Sequence, residues 1–272
     1  METITARFTN RSEYSLSATP IVKIIDRWFY VIIATLFIII VLAGFIPDSV
    51  GKVAAVSSGR RPPFPAILHV HAVLMASFLA LLLAQTFLAA TGRQQGHRIL
   101  GIAAFALVPA VVIAGFILVP TTYHSLVGAL HAAPPPAQAN LRKLILSFDN
   151  IMLLQTRAGV LFAVFATISL AVRRTDSGLH KRLMFLAIAP ALAASFTRMT
   201  WLPTTMPHSS LSLDIYICMA VLPMFAWDLV RKGSVHKAYV IWMIGYVALS
   251  VPLYLLWNST WWHSFAPRLV GL

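Results

Sequence analysis

Residues His69–Gly101 read HVHAVLMASFLALLLAQTFLAATGRQQGHRILG. Two histidines precede a run with no charged residue before Arg93, followed by a short basic turn and a second apolar run from Ile99. About 20 apolar residues in a helix cover the ~30 Å hydrocarbon core of a bilayer. The stretch therefore reads as one membrane crossing, a turn and the start of the return. Outward from it, the chain repeats that plan.

Hydrophobic residues make up 59% of the 272 positions and charged residues 11%, with a mean hydropathy of +0.81. A soluble domain is roughly 45–50% apolar and about 25% charged. The expected fold is an all-α, polytopic membrane bundle of seven helices in one domain, residues 28–257. Its spans are expected near 28–46, 67–90, 99–119, 151–172, 183–201, 211–229 and 238–257. A long connection, Thr121–Asn150, holding Pro134-Pro135-Pro136 and a short helix before them, separates the third span from the fourth. Residues 1–27 form a cytoplasmic N-terminal segment with no cleavable signal, because a polar stretch precedes a first span too long for a signal core. Residues 258–272 form an extracytoplasmic tail, with Trp257, Trp261 and Trp262 at the interface.

The net charge of +13 raises the question of a nucleic-acid partner. The basic residues lie in short loops between spans rather than along one face with interleaved aromatics, so none is expected. Thirteen of them fall on the side of the N-terminus and six on the other. That asymmetry predicts a cytoplasmic N-terminus and an external C-terminus. A single cysteine, Cys218, leaves no internal disulfide and no multi-thiolate metal site.

Six of the nine histidines gather at the external face: His69, His71, His124, His131, His208 and His263. His69 and His71 are about 200° apart on a helix, so one at most faces the bundle. The stripe His71, Met75, Phe78, Leu82, Gln85 selects His71. Imidazoles suit zinc, copper, iron or haem. His71, His124 and His208 lead the candidate metal ligands, with His69 and His263 behind them. The bland alternative is interfacial histidines bonded to loop backbone.

At the cytoplasmic ends of spans three, five and seven stand His97-Arg98, His180-Lys181-Arg182 and His236-Lys237. These read as topological signals snorkelling to phosphates, or as a headgroup pocket of His97, Arg98, His180, Arg182 and His236. Two arginines fall inside spans, Arg157 and Arg198. A membrane-embedded charge is a functional-site candidate by default. Asp149, Asn150 and Asp214 are expected beside them, making either a structural ion pair or a clamp for an anionic or quinone-like group.

The segments GRQQGHRILG (Gly92–Gly101) and HKRLMFLAIAPALAASFTRMTWLP (His180–Pro203) resemble a family of predicted multipass bacterial inner-membrane proteins. That family carries a Gly-Arg…His-Arg-x-Leu-Gly turn and a later His-Lys/Arg-Arg-x-Met span ending in Arg. The resemblance implies placement in the bacterial inner membrane and no particular reaction. A looser likeness joins the second segment to small membrane factors of terminal-oxidase assembly. The seven-helix zinc hydrolases of the adiponectin-receptor and ceramidase type share helix number and orientation, but their seventh-helix His-x-x-x-His is missing here.

Three functions are open to the sequence. One is a metal- or haem-binding redox protein with its site at the external face. Another is a non-catalytic assembly factor, or a carrier of a lipid-like or quinone-like ligand, working with membrane lipids or a respiratory-type complex. The third is a metal-dependent membrane hydrolase.

Overall fold

The computed structural model describes residues 19–272; residues 1–18, most of the expected N-terminal segment with Arg7 and Arg11, lie outside it. The described chain is helical. Its elements are α1 (Pro20–Ser57), α2 (Ala66–Ala90), α3 (Gln94–Gly101), α4 (Ala103–Ala132), α5 (Pro135–Val172), α6 (Ser177–Ile188), a 3-10 turn (Ala189–Leu192), α7 (Ala193–Phe196), α8 (Leu211–Lys232), α9 (Lys237–Leu256) and α10 (Thr260–Leu269). With α3 running into α4, and α6 into α7 through the 3-10 turn, seven of the described helices are long and apolar enough to cross a membrane. The protein is an integral, multi-pass membrane protein.

The fifth span, Ser177–Phe196, sits at the centre. Its apolar window is 67% buried, against 17–39% in the other six. Around it α1 packs on α2, α2 on α4, α4 on α5, and α5 on both α6 and α9. Pro190 explains the 3-10 turn in the middle of this span, because proline lacks the N–H that an α-helix interior needs.

Two helices run past the ends that hydropathy marks. α1 continues through Pro47 to Ser57. The overhang is held by Asp48, which binds Lys52 at 2.6 Å one turn on and Arg198 at 3.2 Å. The long connection expected at Thr121–Asn150 is instead a helical hairpin: α4 runs through Pro120 to Ala132, and α5 starts at Pro135. Its sequence is rich in Ala and Leu, which are strong helix formers, and Pro135 occupies the first turn, where no intrahelical N–H is lost. The C-terminal tail likewise folds, as α10, with Ser259 capping Trp262 N–H at 3.1 Å.

Backbones meet closely where α1 crosses the central span. A Cβ at Gly44 would lie 2.8 Å from Ser195 Cα and closer still to its carbonyl oxygen. Gly44→Ala should therefore push α1 off α7 and lower stability by about 1–3 kcal/mol. Gly51→Ala, which meets nothing within 4 Å, should be neutral or better. Thermal unfolding of both variants in detergent checks this.

The N-terminus of α6 carries a pH-dependent contribution. Lys237 at 2.7 Å and the Leu179 N–H at 2.8 Å hold the Asp176 carboxyl below its ordinary range. A lowered folded value means this contribution is present above the unfolded pKa of about 3.9. It is lost as pH falls through the lower folded value. Asp176→Asn should thus flatten the acid side of the melting-temperature profile.

Candidate functional site

The interior charges organise into two cages that share α8 and α9. α8 carries aspartates 14 residues apart, Asp214 and Asp228, about 21 Å along the axis by helical rise. α9 faces them with Tyr239, Tyr246, Ser250 and Tyr254, hydroxyls spaced to lie along one side. Arginines come from α5 and α6.

The first cage closes on itself. Arg182 is 1% exposed. Its Nε donates to Asp228 Oδ2 at 2.5 Å, its Nη2 to Asp228 Oδ1, and its Nη1 to the Gly178 carbonyl at 2.9 Å. Tyr239 donates to the same carboxylate at 2.6 Å. Each guanidinium nitrogen has an acceptor and each carboxylate oxygen a donor. A pair satisfied this fully and sealed from both lipid and water is a structural clamp of α6, α8 and α9.

The second cage is open. Arg157 Nη2 donates to Asp214 Oδ1 at 2.5 Å and Nη1 to Ser250 Oγ at 2.8 Å, with the guanidinium carbon 4.7 Å from the Tyr246 ring centroid. Tyr246 and Tyr254 donate to the two oxygens of Asp214 at 2.6 and 2.5 Å, and Ser210 adds a long contact of 3.4 Å. Arg157 is 3% exposed, and its Nε is buried with no acceptor. Asp214 keeps 13% of its side chain exposed and Tyr254 is exposed. The carboxylate ends a lipid-facing groove of about 340 Å³, continued by Ile215, Cys218, Met219 and Leu222. An ionised carboxylate only accepts hydrogen bonds. The apolar outer face of α8 thus ends at a carboxylate to which the Tyr254 phenol is bonded.

Of the residues expected from sequence, Arg157 and Asp214 meet here. Arg198 lies elsewhere, on Asp48 and over the Phe45 ring at 4.2 Å. Asp149 and Asn150 anchor α10 and the turn before it. Asp149 accepts from Tyr123 at 2.8 Å and binds His263 Nδ1 at 2.7 Å, and its backbone carbonyl takes the Trp262 indole N–H at 2.8 Å. Asn150 brackets Asn258, accepting its N–H at 3.0 Å and donating to its side chain at 2.6 Å. Asn258 has φ 57°, a left-handed backbone that Asn and Gly tolerate and branched residues do not. Asn258→Gly should keep the turn, losing only the side-chain hydrogen bond from Asn150, about 1 kcal/mol. Asn258→Val should detach α10, raising proteolysis after Trp257 and lowering stability by about 1–3 kcal/mol.

The histidines do not converge. His71 is half-buried with Cε1 facing Gly115, and its Nδ1 lacks a partner; His69 is exposed, edge-on to Phe64. His124 Nε2 sits 2.7 Å from the Val270 carbonyl, His263 is engaged by Asp149, and His208 is exposed on the loop before α8. No group of three or more His, Cys, Asp or Glu able to hold a metal ion forms among the described residues. The expected metal, haem and hydrolase chemistry thus has no support in the geometry. The three histidines of the basic turns each bind backbone: His97 the Gln85 carbonyl at 3.2 Å, His180 the Ser169 carbonyl at 2.9 Å, and His236 the Ala238 N–H at 3.1 Å. Arg182, expected at lipid headgroups, has its guanidinium in the closed cage.

Asp228 and the α9 hydroxyls were missed in the sequence. The signal was there: two acids 14 apart on one apolar span, and tyrosines seven apart on the next. Each of the six aspartates among the described residues has a basic partner: Asp26 with Arg231, Asp48 with Arg198 and Lys52, Asp149 with His263, Asp176 with Lys237, Asp214 with Arg157 and Asp228 with Arg182.

Comparison with protein-family models, curated proteins and solved structures finds no match to this chain. The likeness to multipass inner-membrane proteins rests on the motifs quoted above.

Proposed function

We propose that this protein binds an amphiphile that enters from the bilayer, with an apolar tail along α8 and a hydrogen-bond-donating head at Asp214 and Tyr254. The observation that carries the reading is the difference in exposure between the cages: the first is sealed, while in the second Asp214 and Tyr254 reach the apolar outer side of α8 and Arg157 Nε has no acceptor. A quinol or a hydroxylated lipid has the required chemistry, a donor on a long apolar body. Binding and carrying is the role the site supports: its lining is apolar apart from Asp214 and the Cys218 thiol, and no metal-holding cluster of His, Cys, Asp or Glu forms among the described residues. The setting we assign is a bacterial inner membrane with the N-terminus inside, from the basic-loop asymmetry and the motif resemblance.

The test is saturable binding of a short-chain benzoquinol to the detergent-purified protein, with mass spectrometry of lipids that co-purify. Asp214→Asn and Tyr254→Phe should each weaken quinol binding or strip the co-purified amphiphile, by about tenfold for loss of a charge-assisted hydrogen bond. Unchanged binding in both variants, or no retained amphiphile and no saturable quinol binding in the wild type, overturns the reading.

A further inference from the structure

A second groove lies between α4 and α5, distinct from the one at Asp214. It holds about 470 Å³ and is lined by Phe105, Pro109 and Val112 of α4 and by Ala163, Thr167 and Leu170 of α5. That volume is within the range of small-molecule sites, roughly 300–1,000 Å³. Its rim faces the lipid, with Phe105 48% and Ile113 59% exposed.

The groove ends in positive charge. Arg173, the residue after α5, reaches across it with its guanidinium carbon 4.7 Å from the Phe105 ring centroid. One of its nitrogens donates to the Leu170 carbonyl at 2.6 Å, which fixes the side chain over the groove while leaving the rest of the fork outward. Arg174 follows Arg173 in the turn between α5 and α6. Arg98 precedes Phe105 by seven residues, two turns up the same face of the α3–α4 helix. All three arginines are exposed, and none forms an ion pair with an acid among the described residues. An apolar channel leading to guanidinium groups at the edge of a bilayer complements one kind of molecule. The tail is hydrocarbon, and the head is an anion that the planar fork of arginine grips with paired hydrogen bonds.

We propose that the α4–α5 groove is a binding site for an anionic phospholipid, one acyl chain lying along the groove and the phosphate held by Arg173 with Arg98 and Arg174. The cationic end lies at the face carrying the short basic turns.

Native mass spectrometry of the detergent-purified full chain tests it, using phosphatidylglycerol and phosphatidylcholine of identical chains. The wild type should retain phosphatidylglycerol in preference by tenfold or more, since each arginine near a charged headgroup contributes about fivefold. The triple variant R98A/R173A/R174A should lose the preference with its melting temperature unchanged, because all three side chains are exposed. Ala163→Phe, which fills the groove, should reduce retention of both lipids while the arginines remain. R142A/K143A, at the far end of α5, should keep the full preference, as should Asp214→Asn, so this site and the Asp214 groove fail or succeed separately. Equal retention of the two lipids by the wild type overturns the proposal. So does a preference that survives in the triple variant, or one that R142A/K143A removes equally.

Discussion

Arg182→Met, made alone, is expected to lower stability by about 3–5 kcal/mol, enough to lose most folded protein during extraction. The substitution keeps an unbranched apolar stem of similar girth and removes the charge and donors of the guanidinium. Asp228 would then remain at the centre of three helices with one tyrosine hydroxyl, buried and without its counter-charge. The cost is that of an unpaired buried carboxylate rather than the net worth of the pair. The double variant R182M/D228L should therefore recover much of the loss, since both charges leave together and apolar groups fill the space. Thermal unfolding in detergent, followed by size-exclusion chromatography, reads all three proteins. Equal instability of the single and double variants would show that the cage does something other than neutralise itself.

The matching substitution in the second cage should behave differently. Arg157→Met leaves Asp214 with two tyrosine hydroxyls and a serine, at the edge of a groove rather than within a sealed core. That carboxylate keeps three hydroxyl donors and can reorient toward the groove, so the stability cost should fall to about 1.5–3 kcal/mol, the worth of hydrogen bonds to a charged group. Its larger effect should be on ligand. Without Arg157 the carboxylate loses the guanidinium that aims it, and retention of the bound amphiphile should drop about tenfold. The two measurements together discriminate between the cages: R182M damages the fold, whereas R157M damages binding more than the fold. If both variants lose stability to the same degree and the retained amphiphile is unaffected in R157M, the second cage is a structural clamp like the first.

The seven crossings could be read from the chain because hydropathy is a property of each segment alone. A run such as Val70–Ala90 has only one place of low free energy, whatever its neighbours do. The stops were less readable. Pro47 and Pro120 look like ends, but in the folded protein the backbone continues through both. The α1 overhang is anchored by Asp48 to Arg198, a residue 150 positions away.

The candidate site divides along the same line. Arg157 announces itself, since a charge within an apolar span is costly without a partner. Which acid pairs with it does not follow from sequence. Asp149 is eight residues away on the same helix, while Asp214 is 57 away, and helix order gives Asp149 to His263 and α10. Asp228 sits three residues before Arg231-Lys232, so by sequence it reads as an interfacial charge; only the placement of α6 beside α8 and α9 turns it into the floor of a sealed cage. The histidines show the reverse. Their clustering at one face is real in sequence, yet a ring nitrogen binds whatever lies within 3 Å, and for His124 that is the Val270 carbonyl rather than another ligand. By itself, then, the sequence determined that this is a seven-span membrane protein and that Arg157 needs a counter-charge, because both follow from the cost of polar groups in hydrocarbon. The tertiary structure alone decided which charges are sealed and which border a lipid-facing groove, because that depends on how α5, α6, α8 and α9 are placed side by side.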